Sequence, residues 1–211
     1  MTQSSPNRIR PRALVVTATL ALLPLAASAD DFADAVAAFE RGDHAAAVQV
    51  FRAGAEQDRP GAQFALGVAY ELGRGVEADP AQAAAWYRKA AAKGNPRAQA
   101  CIGQLYAEGK GLDRDPARAV YWQAKAARQG NRHAAERLPS DLSELRAVRV
   151  AKPQINVRSG PSTRDEVLLR ANRDTPAWVL AELDGGWLEL YFEQDHTIGY
   201  AADFLLADAR P

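Results

Sequence analysis

The chain has 211 residues with 26 basic and 26 acidic side chains, so its formal net charge is zero. That length fits one large or two small domains, and the balanced charge argues against a nucleic-acid binder, which carries a strong basic excess. The single cysteine, Cys101, has no partner for an intramolecular disulfide, so packing must hold the fold together.

The first segment stands apart. Arg8, Arg10 and Arg12 precede an apolar run over 13–26 that ends in Ala27-Ser28-Ala29. A basic start, a short apolar core and a small-x-small end describe a secretory signal peptide. The run is shorter than the ~20 residues of a membrane span. Cleavage is expected after Ala29, giving an exported, periplasmic chain that begins at Asp30. It would carry net charge −3 and have no stable membrane insertion.

From Asp30 to Leu138 the chain repeats itself. Residues 62–97 laid on 98–133 agree at 16 of 36 positions. The pairs include Gly67/Gly103, Tyr70/Tyr106, Gly73/Gly109, Gly75/Gly111, Asp79/Asp115, Trp86/Trp122 and Gly94/Gly130. A degenerate copy precedes them, with Asp43 at the position of Asp79, and a truncated one starts at Asn131. Each copy reads as two helices. In the better-defined copy the first, near 61–72, carries Ala65, Leu66, Ala69 and Tyr70 at helical spacing. Gly73 and Gly75 follow the last apolar positions, where helices end in a left-handed residue. Asp79-Pro80 is an N-cap followed by proline at the first helical position. The second helix, near 80–93, carries Ala83, Trp86, Tyr87 and Ala90, and Gly94 closes it.

A Gly-x-Gly invites a phosphate-loop reading, but such a loop needs a strand before its glycines. Here a helix precedes them, and the whole unit recurs 36 residues later. The pattern A-x-x-x-[LI]-G-x-x-Y-x-x-G-x-G, then D, W, K-A-A and G at fixed spacing, resembles the Sel1-like repeat family. The copy at 31–61 is closer to a tetratricopeptide repeat. The resemblance implies an α-solenoid that binds proteins or acts as an adaptor, with no shared catalytic chemistry. Some exported members lock each hairpin with cysteine pairs, a feature that the lone Cys101 excludes here.

A short connecting segment, 139–147, is expected to lead into a second domain over 148–208. Short alternating strands are predicted at 166–170, 176–182, 187–192 and 197–201, with Asp184-Gly185-Gly186 as a hairpin turn. Five or six short strands in this span point to a small barrel. The stretches INVRSGPS, GGWLELYF and IGYAADFL resemble the bacterial SH3 domain. That resemblance implies an exported module which in several relatives recognises peptidoglycan or its peptides. Alternation places Leu188, Leu190 and Phe192 inward and Trp187, Glu189 and Tyr191 on the other face. Trp187 and Tyr191 are therefore candidates for an exposed aromatic groove, the alternative being that Trp187 covers the barrel mouth or packs on the solenoid. Arg158 is a third candidate, with bracing of its own loop as the alternative.

No catalytic set assembles. His44, His133 and His196 are scattered, with no second histidine or cysteine at metal-ligand spacing. Cys101 takes the position of Ala65, a small buried site, with no base in sequence to activate it. The acidic residues near the turns are duplicated with the repeat, which argues for capping rather than for two unlike carboxyl environments. The expectation is a non-catalytic, exported adaptor with no cofactor and no metal. The solenoid would bind a protein partner and the SH3-like module a peptide or cell-wall component. The alternatives are a peptidoglycan-targeting or accessory subunit of a murein enzyme, and a hydrolase with its site in the solenoid.

Overall fold

The structure is a computed structural model whose described residues are 29–209. Apart from Ala29, the expected signal peptide lies outside them. Seven helices come first: α1 Ala29–Arg41, α2 His44–Glu56, α3 Pro60–Leu72, α4 Pro80–Ala92, α5 Pro96–Glu108, α6 Pro116–Arg128 and α7 Arg132–Leu142. Each packs on the next in sequence, as in a stack of helical hairpins. Seven strands follow: β1 Ala147–Val150, β2 Gln154–Arg158, β3 Val167–Asn172, β4 Pro176–Leu183, β5 Trp187–Phe192, β6 Thr197–Ala202 and β7 Leu206–Asp208. They form one antiparallel sheet in the order β3-β2-β6-β5-β4-β1-β7.

The helix ends follow from a few side chains. Proline opens α3, α4, α5 and α6, where its missing N–H costs nothing. The Asp79 carboxylate accepts from the backbone N–H of Ala81 and Gln82 at 2.9 and 3.0 Å. Asn95, Asp115 and Asn131 each cap the following helix in the same way. Gly73 and Gly109 end α3 and α5 in the left-handed conformation, at φ 64° and 67°.

The second glycine of each turn is needed for a different reason. A Cβ on Gly75 would lie 2.5 Å from the carbonyl oxygen of His44, and one on Gly111 would lie 2.2 Å from that of Pro80. The turn of each hairpin thus presses on the start of the preceding hairpin's second helix, so Gly-x-Gly is a stacking contact. Gly67 serves close packing as well, since a Cβ there would meet the Tyr87 ring at 2.6 Å. The two tryptophans fill matching gaps. Trp86 packs on the core formed by α1–α3, and Trp122 on the core formed by α4–α6.

α7 runs through Pro139 to Leu142, so the segment that connects the two domains shortens from the expected 139–147 to 143–146. A proline late in a helix costs one backbone hydrogen bond. Here Leu138 and Leu142, 2% and 4% exposed, are buried against the β-module, which favours continuing the helix.

The β-module has its own core. Val148, Val150, Ile155, Val157, Leu188, Leu190 and Phe192 are buried in one cluster, with Ala171 of β3 and Ala201 of β6. The inward assignment of the β5 leucines and phenylalanine therefore holds. A separate cluster joins the two domains. Tyr191 of β5 is packed with Val120 and Ala124 of α6 and with Leu138 and Leu142 of α7, flanked by Trp178, Leu180 and Ile198. The last hairpin of a solenoid exposes an apolar face that needs a cap. The outer face of the sheet supplies it.

Tyr191→Ala should lower the stability of the whole protein by about 3–5 kcal/mol, the usual cost of deleting a buried aromatic ring. Phe204→Ala, at a site 76% exposed, should stay within about 0.5 kcal/mol of the parent, since exposed substitutions rarely do more. Urea denaturation of the three proteins measures both.

Candidate functional site

Two of the concave surfaces of the described residues carry several aromatic side chains. The first is an apolar groove of about 540 Å³ along the first helices of the hairpins. Phe32, Val36 and Phe39 of α1 form one wall, Phe64 and Val68 of α3 the other, and Phe51 of α2 the floor. The rings are set by mutual contact: Phe32 and Phe39 lie 5.8 and 5.6 Å from Phe51, and Phe64 lies 5.7 Å from Tyr87. Glu40 and Arg97 stand at its margins. The second surface is a cleft of about 650 Å³ between α6 and strands β4 and β5.

The aromatic groove expected on the β-module does not form. Alternation correctly puts Trp187, Glu189 and Tyr191 on one face of β5, but α6 and α7 cover part of that face. Tyr191 is 1% exposed, with its hydroxyl 2.8 Å from Nδ1 of His196. Burial, with a smaller contribution from Glu193, pushes that hydroxyl up to about 12. Trp187 stays half-buried beside the β4–β5 turn, and Glu189 faces the cleft, accepting from Tyr200 Oη at 2.8 Å. Arg158 donates from Nη1 to the carbonyl oxygen of Asp165 at 2.7 Å, so it braces the loop between β2 and β3. The repeat-defining residues, Gly67, Tyr70, Gly73, Gly75, Asp79, Trp86 and Gly94 with their counterparts Gly103, Tyr106, Gly109, Gly111, Asp115, Trp122 and Gly130, hold turns, caps and helix contacts.

The titratable groups inside the solenoid do not make a reactive centre. Tyr87 donates from Oη to Glu71 Oε2 at 2.5 Å. Burial raises the Tyr87 hydroxyl far above its ordinary value, and the charges around it act in the same direction. Cys101 is half-buried beside this pair. Burial first, then the Glu71 carboxylate, pushes the Cys101 thiol up to about 11, the opposite of what a nucleophile needs. His44, at the start of α2, is half-buried. Its ring meets Phe39 edge-on at 4.6 Å, and its Nδ1 is buried without a hydrogen-bond partner. Among the described residues no group of three or more His, Cys, Asp or Glu side chains could hold a metal ion, and no helix is long and apolar enough to cross a membrane.

Helices α6 and α7 carry unpaired polar groups. Gln123 is fully buried with neither amide atom partnered. It takes the repeat position of Tyr87, whose partner Glu71 is replaced by Ala107 in the next copy, so the acceptor is missing. Asp141 on α7 is 8% exposed and its Oδ2 has no partner. Burial holds its carboxyl above the ordinary range, with Arg137 opposing.

A carboxyl that is protonated more readily in the folded state destabilises the fold when ionised, and the cost disappears as pH falls below its unfolded value. Asp141→Asn should therefore be more stable than the parent at pH 7, with an advantage that shrinks as pH falls through the raised folded-state value and is gone below about 4, where unfolded carboxyls also take up protons. Denaturation midpoints measured between pH 3 and 7 read this directly. Cys101 should react with iodoacetamide about 100-fold more slowly in the native protein than in the unfolded chain, since the thiolate is the nucleophile and its pKa rises from 9.0 to about 11. The raised thiol also predicts stability that is complete below pH 9 and falls as pH rises towards 11.

Residues 60–95 and 96–131 each match the Sel1 repeat. No curated protein matches the chain. Among solved structures it is similar to c5321, a protective antigen present in uropathogenic Escherichia coli strains and displaying an SLR fold, at 33% identity and a TM-score of 0.53. That likeness covers 56% of this chain and 26% of the antigen, so this chain spans about a quarter of its length. A Sel1 repeat protein from Oxalobacter formigenes is similar at 28% identity and a TM-score of 0.47, over 56% of this chain and 53% of that one. Helicobacter pylori cysteine rich protein B is similar at 23% identity and a TM-score of 0.43, over 51% of this chain and 91% of that one. Residues 60–131 are thus two consecutive Sel1 repeats, set within a longer helical stack that ends against a seven-stranded sheet.

Proposed function

We propose that the chain is a non-catalytic, exported scaffold of the cell envelope whose solenoid binds a protein partner. Sel1 repeat proteins are generally protein-interaction scaffolds, and the phenylalanine-lined groove over α1, α3 and α5 is the observation that carries the reading to this molecule. Aromatic side chains supply large contact area at little entropic cost, and binding energy concentrates where they can be covered. Glu40 and Arg97 at the margins make no ion pair with any described residue, so both remain available to fix the register of a bound segment. The raised thiol of Cys101 and the duplicated turn carboxylates agree with a protein that does no chemistry.

The β-module is read as an SH3-like barrel on its INVRSGPS motif and its antiparallel strand arrangement. Its outer face is committed in part to α6 and α7, so it serves first as the cap of the stack. Export rests on the signal-peptide pattern over 1–29.

Placing a photo-crosslinking amino acid at Val68, inside the groove, should give one discrete protein adduct in cells, and the same group at Arg173 on the β3–β4 turn should give none. The periplasmic fraction should hold the protein with Asp30 as its first residue. Equal crosslinking at both sites, or retention of the protein in the cytoplasm with residues 1–29 attached, would contradict the reading.

A further inference from the structure

The two Sel1 repeats contain their own internal comparison. The turn of each Sel1 hairpin leaves a depression. In the first copy it is lined by Tyr70, Val76, Glu77, Ala78, Asp79 and Gln82, with no guanidinium group among its walls. In the second copy the matching positions are Tyr106, Leu112, Asp113, Arg114, Asp115 and Arg118. Two positions have become arginine, Ala78 to Arg114 and Gln82 to Arg118. A third change, Ala85 to Tyr121, adds a ring beside Trp122. Arg88 projects into the same space from α4. The second depression also runs on, past shared residues Arg88, Tyr106, Asp115 and Arg118, into the cleft against β4 and β5.

The charges there are not equivalent. Arg114 is paired with Glu144. The Asp115 carboxylate is engaged at both oxygens, capping α6 through Oδ1 and meeting Arg118 Nε at 3.3 Å through Oδ2. Arg118 lies over the Tyr106 ring at 5.6 Å. Glu189, on the opposite wall, accepts from Tyr200. Arg88 alone among these cleft arginines has no hydrogen bond or ion pair with any described residue, and it lines the same cleft as three aromatic rings and Leu180.

We propose that this interdomain cleft binds an extended peptide segment that presents a carboxylate beside an apolar side chain. The carboxylate pairs with the open guanidinium of Arg88, and the apolar side chain lies on Tyr106, Tyr121 and Leu180. Interdomain clefts with an apolar floor and a few placed polar groups are the usual form of a binding site. Arginine presents a fork that matches a carboxylate with two parallel hydrogen bonds. Asp113, Asp115 and Glu189 also line the walls, so a second negative charge on the ligand meets repulsion. That favours a carboxylate over a phosphate. The site is separate from the phenylalanine groove, needs both domains to exist, and does not depend on what the groove binds.

The probe is a fluorescein-labelled, C-terminally amidated pentapeptide with glutamate between phenylalanine and leucine, titrated with the purified protein by fluorescence anisotropy. It should bind, and its glutamine counterpart should bind at least about tenfold more weakly, as a charge-assisted hydrogen bond is worth ~1.5–3 kcal/mol. Arg88→Glu should weaken the glutamate peptide by a similar factor or more. Arg173→Glu makes the same change in net charge at an exposed turn outside the cleft, and should leave the affinity unchanged. A peptide with the same apolar residues, no acidic side chain and a free C-terminus tests whether a chain end supplies the carboxylate instead. Arg88-dependent binding of either carboxylate form supports the proposal. No binding of either form, equal binding of the glutamine peptide, insensitivity to Arg88→Glu, or tighter binding of a phosphoserine peptide overturns it.

Discussion

The contact on which the molecule depends is the burial of Tyr191 against α6 and α7. A stack of helical hairpins has an apolar end wherever it stops, and this one stops after a truncated hairpin. Val120, Ala124, Leu138 and Leu142 present that end, and the outer face of the sheet, centred on Tyr191 with Trp178, Leu180 and Ile198 around it, covers it. The tyrosine keeps its hydroxyl satisfied by His196, so a polar atom enters the interface without the penalty of an unpaired group. With only four connecting residues between α7 and β1, the sheet has little freedom to leave. A short stack near the minimum of ~3 repeats needs a cap of this kind to be stable.

Duplication explains both the regularity of the solenoid and its departures. Caps, turn glycines and packing tryptophans keep the same identity in both strong copies because they serve contacts between neighbouring hairpins. Asp79 and Asp115 start a helix in the same way, and Gly75 and Gly111 press on the preceding hairpin in the same way. Where a copy no longer has the same neighbour, its residues change. Tyr87 has Glu71 to receive its hydroxyl, whereas Gln123 at the matching position packs on Gly103 with Ala107 in place of that carboxylate and has no partner for its amide. Arg118 and Tyr121 replace a glutamine and an alanine at the one turn that the sheet walls in.

Much of this is legible in the sequence itself. The 36-residue period, the Asp-Pro helix starts and the Gly-x-Gly turns are local signals, and the structure places helices within one or two residues of the expected bounds. The strands were readable from alternation, and so was the division of β5 into an inward and an outward face. What alternation cannot say is what lies over the outward face. That is a long-range fact, set by α6 and α7, and it turns Tyr191 from an exposed candidate into the centre of an interface. α7 ends at Leu142, beyond the expected Leu138, for a related reason. Pro139 reads as a stop in isolation, but the burial of Leu142 carries the helix beyond it. Arg88 and Glu189 are unremarkable in sequence and line one cleft only because the two domains dock.

Whether the solenoid and the sheet form one body is the claim on which the interface, the cap and the cleft all rest. Backbone ¹⁵N relaxation on the purified protein tests it directly. The account predicts a single rotational correlation time shared by amides of α3–α6 and of β4–β6, as one rigid body requires. A distinctly shorter correlation time for the strand amides would show the sheet tumbling on a tether, and would contradict it.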